Sequence, residues 1–258
     1  MPVLAVDTEF LREKTYYPKL CLVQVSTGEE IAAIDPLSID DLSPLVRLFE
    51  DPKIVKVIHA CSQDLEVLLY GMHCACAPVF DTQLAAAFLG MRQQASYASV
   101  VEHYMGVHLP KTESLTDWSR RPLDPEQLVY AEDDVRYLPD IYRCMYERLM
   151  KTNRLGWLMP EMNAYTAPEN FKRDPKEAYL HLKRSNSLTR RQMALAREIC
   201  AWREERAAQH NIPRKWIISD ETLVEICKRS PATSERLKRI RGTESLSQES
   251  VASILAAI

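Results

Sequence analysis

The chain opens on an apolar run, Val3-Leu4-Ala5-Val6, that leads into Asp7-Thr8-Glu9-Phe10. A short run rich in Val and Leu predicts a buried strand. Side chains at i and i+2 of a strand share a face, so Asp7 and Glu9 project side by side. Residues 20–26 predict a second strand, 27–30 a turn and 31–35 its hairpin partner. Helical periodicity over 42–51 is stopped by Pro52, and 54–59 predicts a third buried strand. A helix opens at Ser62-Gln63-Asp64 and runs to about Tyr70. Val79-Phe80-Asp81 predicts one more strand, leading into a helix over 82–89. From there to Met150 the pattern is helical, with Leu128, Ala131, Val135 and Leu138 facing a core. A hairpin followed by strand and helix in alternation predicts an α/β fold, a sheet of mixed direction with helices on its faces.

Residues 164–175 hold two prolines and no clear period, and beyond them everything is helical. Ser187-Leu188-Thr189 opens a long helix to about Gln209. Ser219-Asp220 caps a helix over 221–228 that Ser230-Pro231 ends, and two short helices, near 234–240 and 248–257, flank Arg241-Gly242. The expected division is an α/β domain over 1–163, a linker and connecting segment over 164–186, and a small all-α domain over 187–258. Trp202 and Trp216 are read as core or interdomain packing residues and not as base platforms.

Composition narrows the class. A chain of 258 residues can bury one sizeable core plus a smaller second one. No apolar stretch approaches the ~20 residues that span a membrane. No signal-peptide pattern opens the chain either, so no membrane partner is expected. Seven cysteines, an odd number, argue against a disulfide framework and for a reducing cytoplasm. His73-Cys74-Ala75-Cys76 lacks the second pair that a structural zinc site needs. Charge is divided: residues 1–170 carry a balance of −10 and residues 171–258 one of +7. An acidic half that requires a metal, joined to a basic half that meets polyanions, fits this split, as does a solvated helical surface.

Two crowded carboxylates, Asp7 and Glu9, repel unless a cation sits between them, and a hard divalent ion suits oxygen ligands. Asp64 lies just past the carboxyl end of a strand, the edge where ligands gather in open α/β sheets, or serves as a simple helix-start carboxylate. Tyr130 and Asp134, at i and i+4 of a helix, share a face. Each feature alone has an ordinary structural explanation.

Together, Asp7-x-Glu9 on a strand, Asp64 after a strand and Tyr130-x-x-x-Asp134 on a late helix resemble the three exonuclease motifs of the DEDD superfamily, Tyr subclass. Asp7-Thr8-Glu9-Phe10, Tyr16-Tyr17-Pro18, Leu22-Val23-Gln24, the stretch from His59 to Val67, Asp81-Thr82-Gln83 and the stretch from Thr116 to Leu123 are similar to the bacterial ribonuclease D family. Asn211-Ile212-Pro213 and the stretch from Ile217 to Leu223 resemble an HRDC domain, a small helical module associated with nucleic acids. The resemblance covers essentially the whole chain and rests on the ordered set of motifs, since each one alone is weak. Two departures concern the ends: almost nothing precedes Pro2, where family members usually carry a helix and a strand, and a second HRDC-like domain would need residues beyond Ile258. Neither touches a metal ligand.

What the resemblance implies is concrete. The fold would be a ribonuclease H-like mixed sheet flanked by helices, followed by an HRDC domain. The activity would be metal-dependent 3′→5′ exoribonuclease cleavage to nucleoside 5′-monophosphates, on RNA such as tRNA precursors with a 3′ extension, by a monomer. Asp7, Glu9, Asp64 and Asp134 would hold two Mg²⁺ ions, with Mn²⁺ as substitute. Asp7 would bridge them, Glu9 and Asp134 completing one site and Asp64 helping the other. Tyr130 would orient the attacking water. Thr8 and Phe10 would sit by the terminal nucleotide, with Gln24 near it, His59 near it or buried as a hydrogen-bonded core histidine, Trp118 on a base or in the core, and Arg121 on phosphate. Arg190, Arg191, Arg214 and Lys215 are candidates for holding the RNA backbone. The rivals are the same chemistry on DNA and a catalytically idle RNA-binding scaffold.

Overall fold

The computed structural model describes residues 1–110 and 116–258. The chain forms two compact units, one of Met1–Leu11 with Pro18–Lys172, the other of Arg12–Tyr17 with Arg173–Ile258.

The first unit is built on β1 (Val3–Leu11), β2 (Lys19–Ser26) and β3 (Ile31–Ile34), then α1 (Ser43–Glu50), β4 (Val55–Ile58), α2 (Ser62–Met72), β5 (Val79–Asp81) and α3 (Thr82–Phe88). Four further helices follow: α4 (Tyr97–Met105), α5 (Pro125–Arg136), α6 (Leu138–Lys151) and α7 (Leu155–Tyr165). The five strands form one sheet in the order β3-β2-β1-β4-β5. β1 pairs antiparallel with β2 and parallel with β4, so the direction is mixed, as the hairpin and the later alternation predict.

Alternation along β1 sorts its side chains. Leu4 and Val6 join Val23, Ile58, Leu65 and Leu68 in one core layer, whereas Ala5 joins Val57, Val135 and Leu138 in the other. In phase with Ala5, Asp7 and Glu9 face the α5 side; Thr8, in phase with Val6, faces the α2 side. The β1–β4 pairing ends at Ala5 and Val57, which leaves the far half of β1 open along that edge.

The unbroken helical pattern expected up to Met150 is not what forms. Left-handed Gly106 ends α4, residues 116–124 are not helical, and Asp124-Pro125 starts α5 with a capping box closed by Gln127. Residues 111–115, inside that stretch, lie outside the described residues. Leu128 also departs from expectation: it is 39% exposed, while Ala131, Val135 and Leu138 are buried.

In the second unit, 3-10 turns at Pro175–His181 and Ser185–Ser187 precede α8 (Arg190–His210), α9 (Arg214–Ile217), α10 (Asp220–Arg229), α11 (Ser234–Leu237) and α12 (Gln248–Ala257). Thr189 caps α8 and Ser219 caps α10 through their hydroxyls. Leu195, Ile199, Leu223, Ile226, Leu237 and Ile254 make its core. Buried Arg203 donates to Asp220 Oδ1 at 2.8 Å and to the Ile218 carbonyl at 3.2 Å. The segment Arg12–Tyr17 belongs here: the Tyr16 hydroxyl donates to buried Glu204 at 2.8 Å, and Asn211 Oδ1 accepts from the amides of Tyr16 and Tyr17. Trp202 packs against this core, but Trp216 does not; on the four-residue α9 it is 55% exposed.

Candidate metal centre

Asp7, Glu9 and Asp134 each bring one carboxylate oxygen to within 4.8 Å of the other two. β1 supplies the first pair through its two-residue repeat, and α5, packed on the same face, supplies the third. Burial and mutual repulsion set the protonation of the group. Glu9 is pushed up to about 8 by desolvation and by Asp134 and Asp64. Asp134 rises to about 7, chiefly by burial, partly offset by the hydrogen bond from Tyr130. Asp7 stands well above the usual carboxylate range for the same reasons, with Asp64 its first charged neighbour. Three acids held this close, with no cation offsetting them among the described residues, form a donor set suited to a hard cation.

Asp64 stands apart from this trio and is held differently. Its Oδ1 accepts the Thr8 hydroxyl at 2.6 Å and the Thr8 amide at 3.2 Å. That amide lies on the stretch of β1 beyond its pairing with β4, so the first turn of α2 completes what the sheet leaves open. Desolvation raises Asp64 to about 7, and the Thr8 bonds pull against that rise. Asp64 still acts electrostatically on Asp7 and Glu9.

Tyr130 is half-buried, and a side-chain hydrogen bond links it to Asp134. Burial and the surrounding carboxylates push its phenol well above the ordinary value, so the hydroxyl keeps its proton and acts as donor. Trp118 backs the ring, with centroids 6.1 Å apart. A cavity of about 320 Å³ opens beside Tyr130 and Asp134, lined also by Leu109, Pro110, Val129 and Asp133.

The remaining expectations divide. Thr8 is buried and spends its hydroxyl on Asp64, and Phe10 packs against the sheet core. Trp118 is 3% exposed beside Cys21, Leu22 and Ala131, so it braces the site instead of offering a face to a base. Arg121 is likewise taken: it pairs with both Asp35 oxygens at 2.6 and 2.7 Å and donates to the carbonyls of Trp118 and Cys21. This places it in a loop clamp and not on phosphate. His59 uses both ring nitrogens, Nε2 donating to the Ala95 carbonyl at 3.1 Å and Nδ1 paired with the Thr82 hydroxyl at 2.9 Å. Gln24 is fully buried and cannot touch substrate.

Two further supports surround the site, Asp81 from the Asp81-Thr82-Gln83 stretch and Tyr97, which had no sequence signal of its own. Buried Asp81 accepts from the amides of Ala60, Cys61, Gln83 and Leu84, tying the turn after β4 to the start of α3. The Tyr97 hydroxyl donates to the Asp133 carbonyl at 2.9 Å and pins α5 next to Asp134. The cavity lining could have been found from spacing, since Glu126, Val129, Tyr130 and Asp133 recur at i, i+3, i+4 and i+7.

Comparison with known proteins places this geometry. A 3′-5′ exonuclease family profile matches residues 1–150, and an HRDC domain profile matches residues 192–258. The structure of Escherichia coli RNase D, an exoribonuclease involved in structured RNA processing, is similar at a TM-score of 0.87 and 34% identity, covering 99% of this chain and 68% of that one. The chain belongs to the ribonuclease D family. Ribonuclease D of Granulibacter bethesdensis is 42% identical over 242 residues, covering 93% of this chain and 61% of that protein. The chain thus spans about three fifths of the length of such relatives. Brucella melitensis NrnC with bound Mg²⁺ is similar at a TM-score of 0.58 and 25% identity, covering 66% of this chain and 84% of that one. Among the described residues no helix is long and apolar enough to cross a membrane.

Proposed function

We propose that the chain is a divalent-metal-dependent 3′→5′ exoribonuclease that releases nucleoside 5′-monophosphates. The observation that carries this reading is the acidic trio of Asp7, Glu9 and Asp134, with Asp64 adjoining and Tyr130 hydrogen-bonded to its edge. These carboxylates would hold Mg²⁺, in our reading as a pair that Mn²⁺ could replace: Asp7 would serve both ions, Glu9 and Asp134 would complete one site and Asp64 would contribute to the other. When bound, such ions polarise the phosphoryl group, supply a nucleophile at neutral pH and stabilise the leaving oxygen.

The chain's own residues do the rest. In hydrolysis a water oxygen bonds to phosphorus, the bond from phosphorus to the 3′ oxygen breaks, and that oxygen takes a proton. Tyr130, protonated and tied to Asp134, is a poor base but a good positioning group: its lone pairs accept from the attacking water. Trp118 and Ala131 hold the ring in place. Thr8 keeps Asp64 charged and oriented. The cavity beside Tyr130 receives the terminal nucleotide.

RNA is favoured over DNA as substrate because the relatives from Escherichia coli and Granulibacter bethesdensis are ribonucleases, and tRNA precursors with a 3′ extension are the class we put forward. The basic stretch 171–258, with a balance of +7, would draw the RNA backbone in. Exposed Arg190, Arg191, Arg214 and Lys215 supply part of it. Seven unpaired cysteines suit a reducing cytoplasm. Incubating a 3′-labelled RNA and a DNA of matched sequence with Mg²⁺ tests the assignment: faster loss of label from RNA is expected, and preference for DNA would overturn it.

A further inference from the structure

Gln24 is among the few buried polar side chains with nothing to bind. It is 0% exposed, and neither Nε2 nor Oε1 has a hydrogen-bond partner among the described residues. A buried amide left unmade is costly, so such a group calls for a reason. In the sheet Gln24 lies directly opposite Asp7 on β1 and opposite Ala33 on β3. Directly paired residues point to the same face with Cβ atoms ~4.5–5.5 Å apart, within reach of a glutamine amide. Ala33 on the other side offers no polar side-chain atom. Asp7 in turn accepts no hydrogen bond from another side chain among the described residues, and it shares its face of β1 with Glu9 and with Asp134 of α5.

A lone donor and an underserved carboxylate thus face each other across one strand pair. We infer that Gln24 is a positioning residue for Asp7: its side-chain amide, unpartnered in this structure, would donate to the Asp7 carboxylate when a divalent ion is bound and orient it toward that ion. The inference rests on the metal-dependent reading above. Ligating carboxylates in metal sites are themselves hydrogen-bonded, and loss of such a partner weakens metal binding by about 10–100-fold. A residue that merely fills the core would differ in its effect on the metal. Replacing an unsatisfied amide by an apolar side chain of equal length would then raise stability and leave the metal untouched.

Calorimetric titration of the full chain with Mn²⁺, for wild type, Gln24→Met and Asp7→Asn, separates these cases, with melting of the metal-free proteins alongside. The expected result is a Gln24→Met protein that melts no lower than wild type yet binds Mn²⁺ about 10–100-fold more weakly. Its RNA hydrolysis should recover as Mn²⁺ is raised. Wild-type Mn²⁺ affinity in Gln24→Met would overturn the inference while leaving the metal site standing. A Gln24→Met chain that does not fold would also overturn it, by assigning the amide to the architecture. Absence of Mn²⁺ binding in wild type, or undiminished binding in Asp7→Asn, would instead remove the metal reading, and the inference with it.

Discussion

Thr8 gives both its amide and its hydroxyl to one oxygen of Asp64, at 3.2 and 2.6 Å. The two residues come from different elements, 56 positions apart, and their bond joins the strand of Asp7 and Glu9 to the fourth carboxylate. Thr8→Val keeps the shape and removes the hydroxyl. A hydrogen bond to a charged group contributes about 1.5–3 kcal/mol, so the variant should need more Mg²⁺ for half-maximal activity. Asp64 would rise further from its value of about 7, moving the acid limb of the pH–rate profile upward. A Mg²⁺ requirement and profile unchanged in Thr8→Val would remove this role.

The raised carboxylates give the metal-free protein a defined pH dependence. Glu9 at about 8, Asp64 and Asp134 at about 7, and Asp7 above its normal range hold protons that the unfolded chain has released. Unfolded carboxylates titrate near ~4. The native state therefore binds more protons between about pH 4 and pH 8, and stability falls as pH rises across that window. It is fully present below about pH 4 and lost above about pH 8. Mg²⁺ should reverse the trend, with a gain in Tm that grows with pH. Melting curves with and without Mg²⁺ at a series of pH values check this; a Mg²⁺ effect that shrinks as pH rises would contradict it.

Tyr130→Phe retains the ring against Trp118 and loses only the hydroxyl. Misplacing a reacting group costs on the order of 10²-fold, so kcat should fall by about that much with KM little changed. Activity should stay above that of Asp134→Asn. Undiminished kcat in Tyr130→Phe would show that the phenol takes no part.

Much of this was legible in the sequence, and the limits have physical causes. The hairpin, β4 and β5 follow from local apolar runs bounded by turns. Asp7 with Glu9 and Tyr130 with Asp134 were readable because strand and helix periods put each pair on one face. The bond between Thr8 and Asp64 was not, since it depends on where β4 stops pairing with β1. Arg121 was misread because its partner, Asp35, lies 86 residues away. Trp118 was left open between a base and the core, and its packing beside Cys21, Leu22 and Ala131 decides for the core. Leu128 was misread because a regular apolar stripe says nothing of where packing against α5 ends.

Gly242 offers a test of the helical unit. Its φ of +88° favours glycine, and a Cβ there would fall 2.5 Å from Thr222 Oγ1, which donates to the Arg241 carbonyl. Gly242→Ala should destabilise this unit by about 1–3 kcal/mol, seen as a lower urea midpoint. A midpoint equal to wild type would show that the turn relaxes freely.

The most direct measurement follows the products of a single-stranded RNA labelled at its 5′ end, digested by wild type and by Asp7→Asn with Mg²⁺ or with EDTA. The expected outcome is a ladder shortening one nucleotide at a time from the 3′ end, with nucleoside 5′-monophosphates released by wild type in Mg²⁺. EDTA and Asp7→Asn should each abolish it. Internal cleavage, products carrying a 3′-phosphate, or undiminished cleavage in EDTA would contradict the assignment of Asp7, Glu9, Asp64 and Asp134 as the metal centre of a 3′→5′ exoribonuclease.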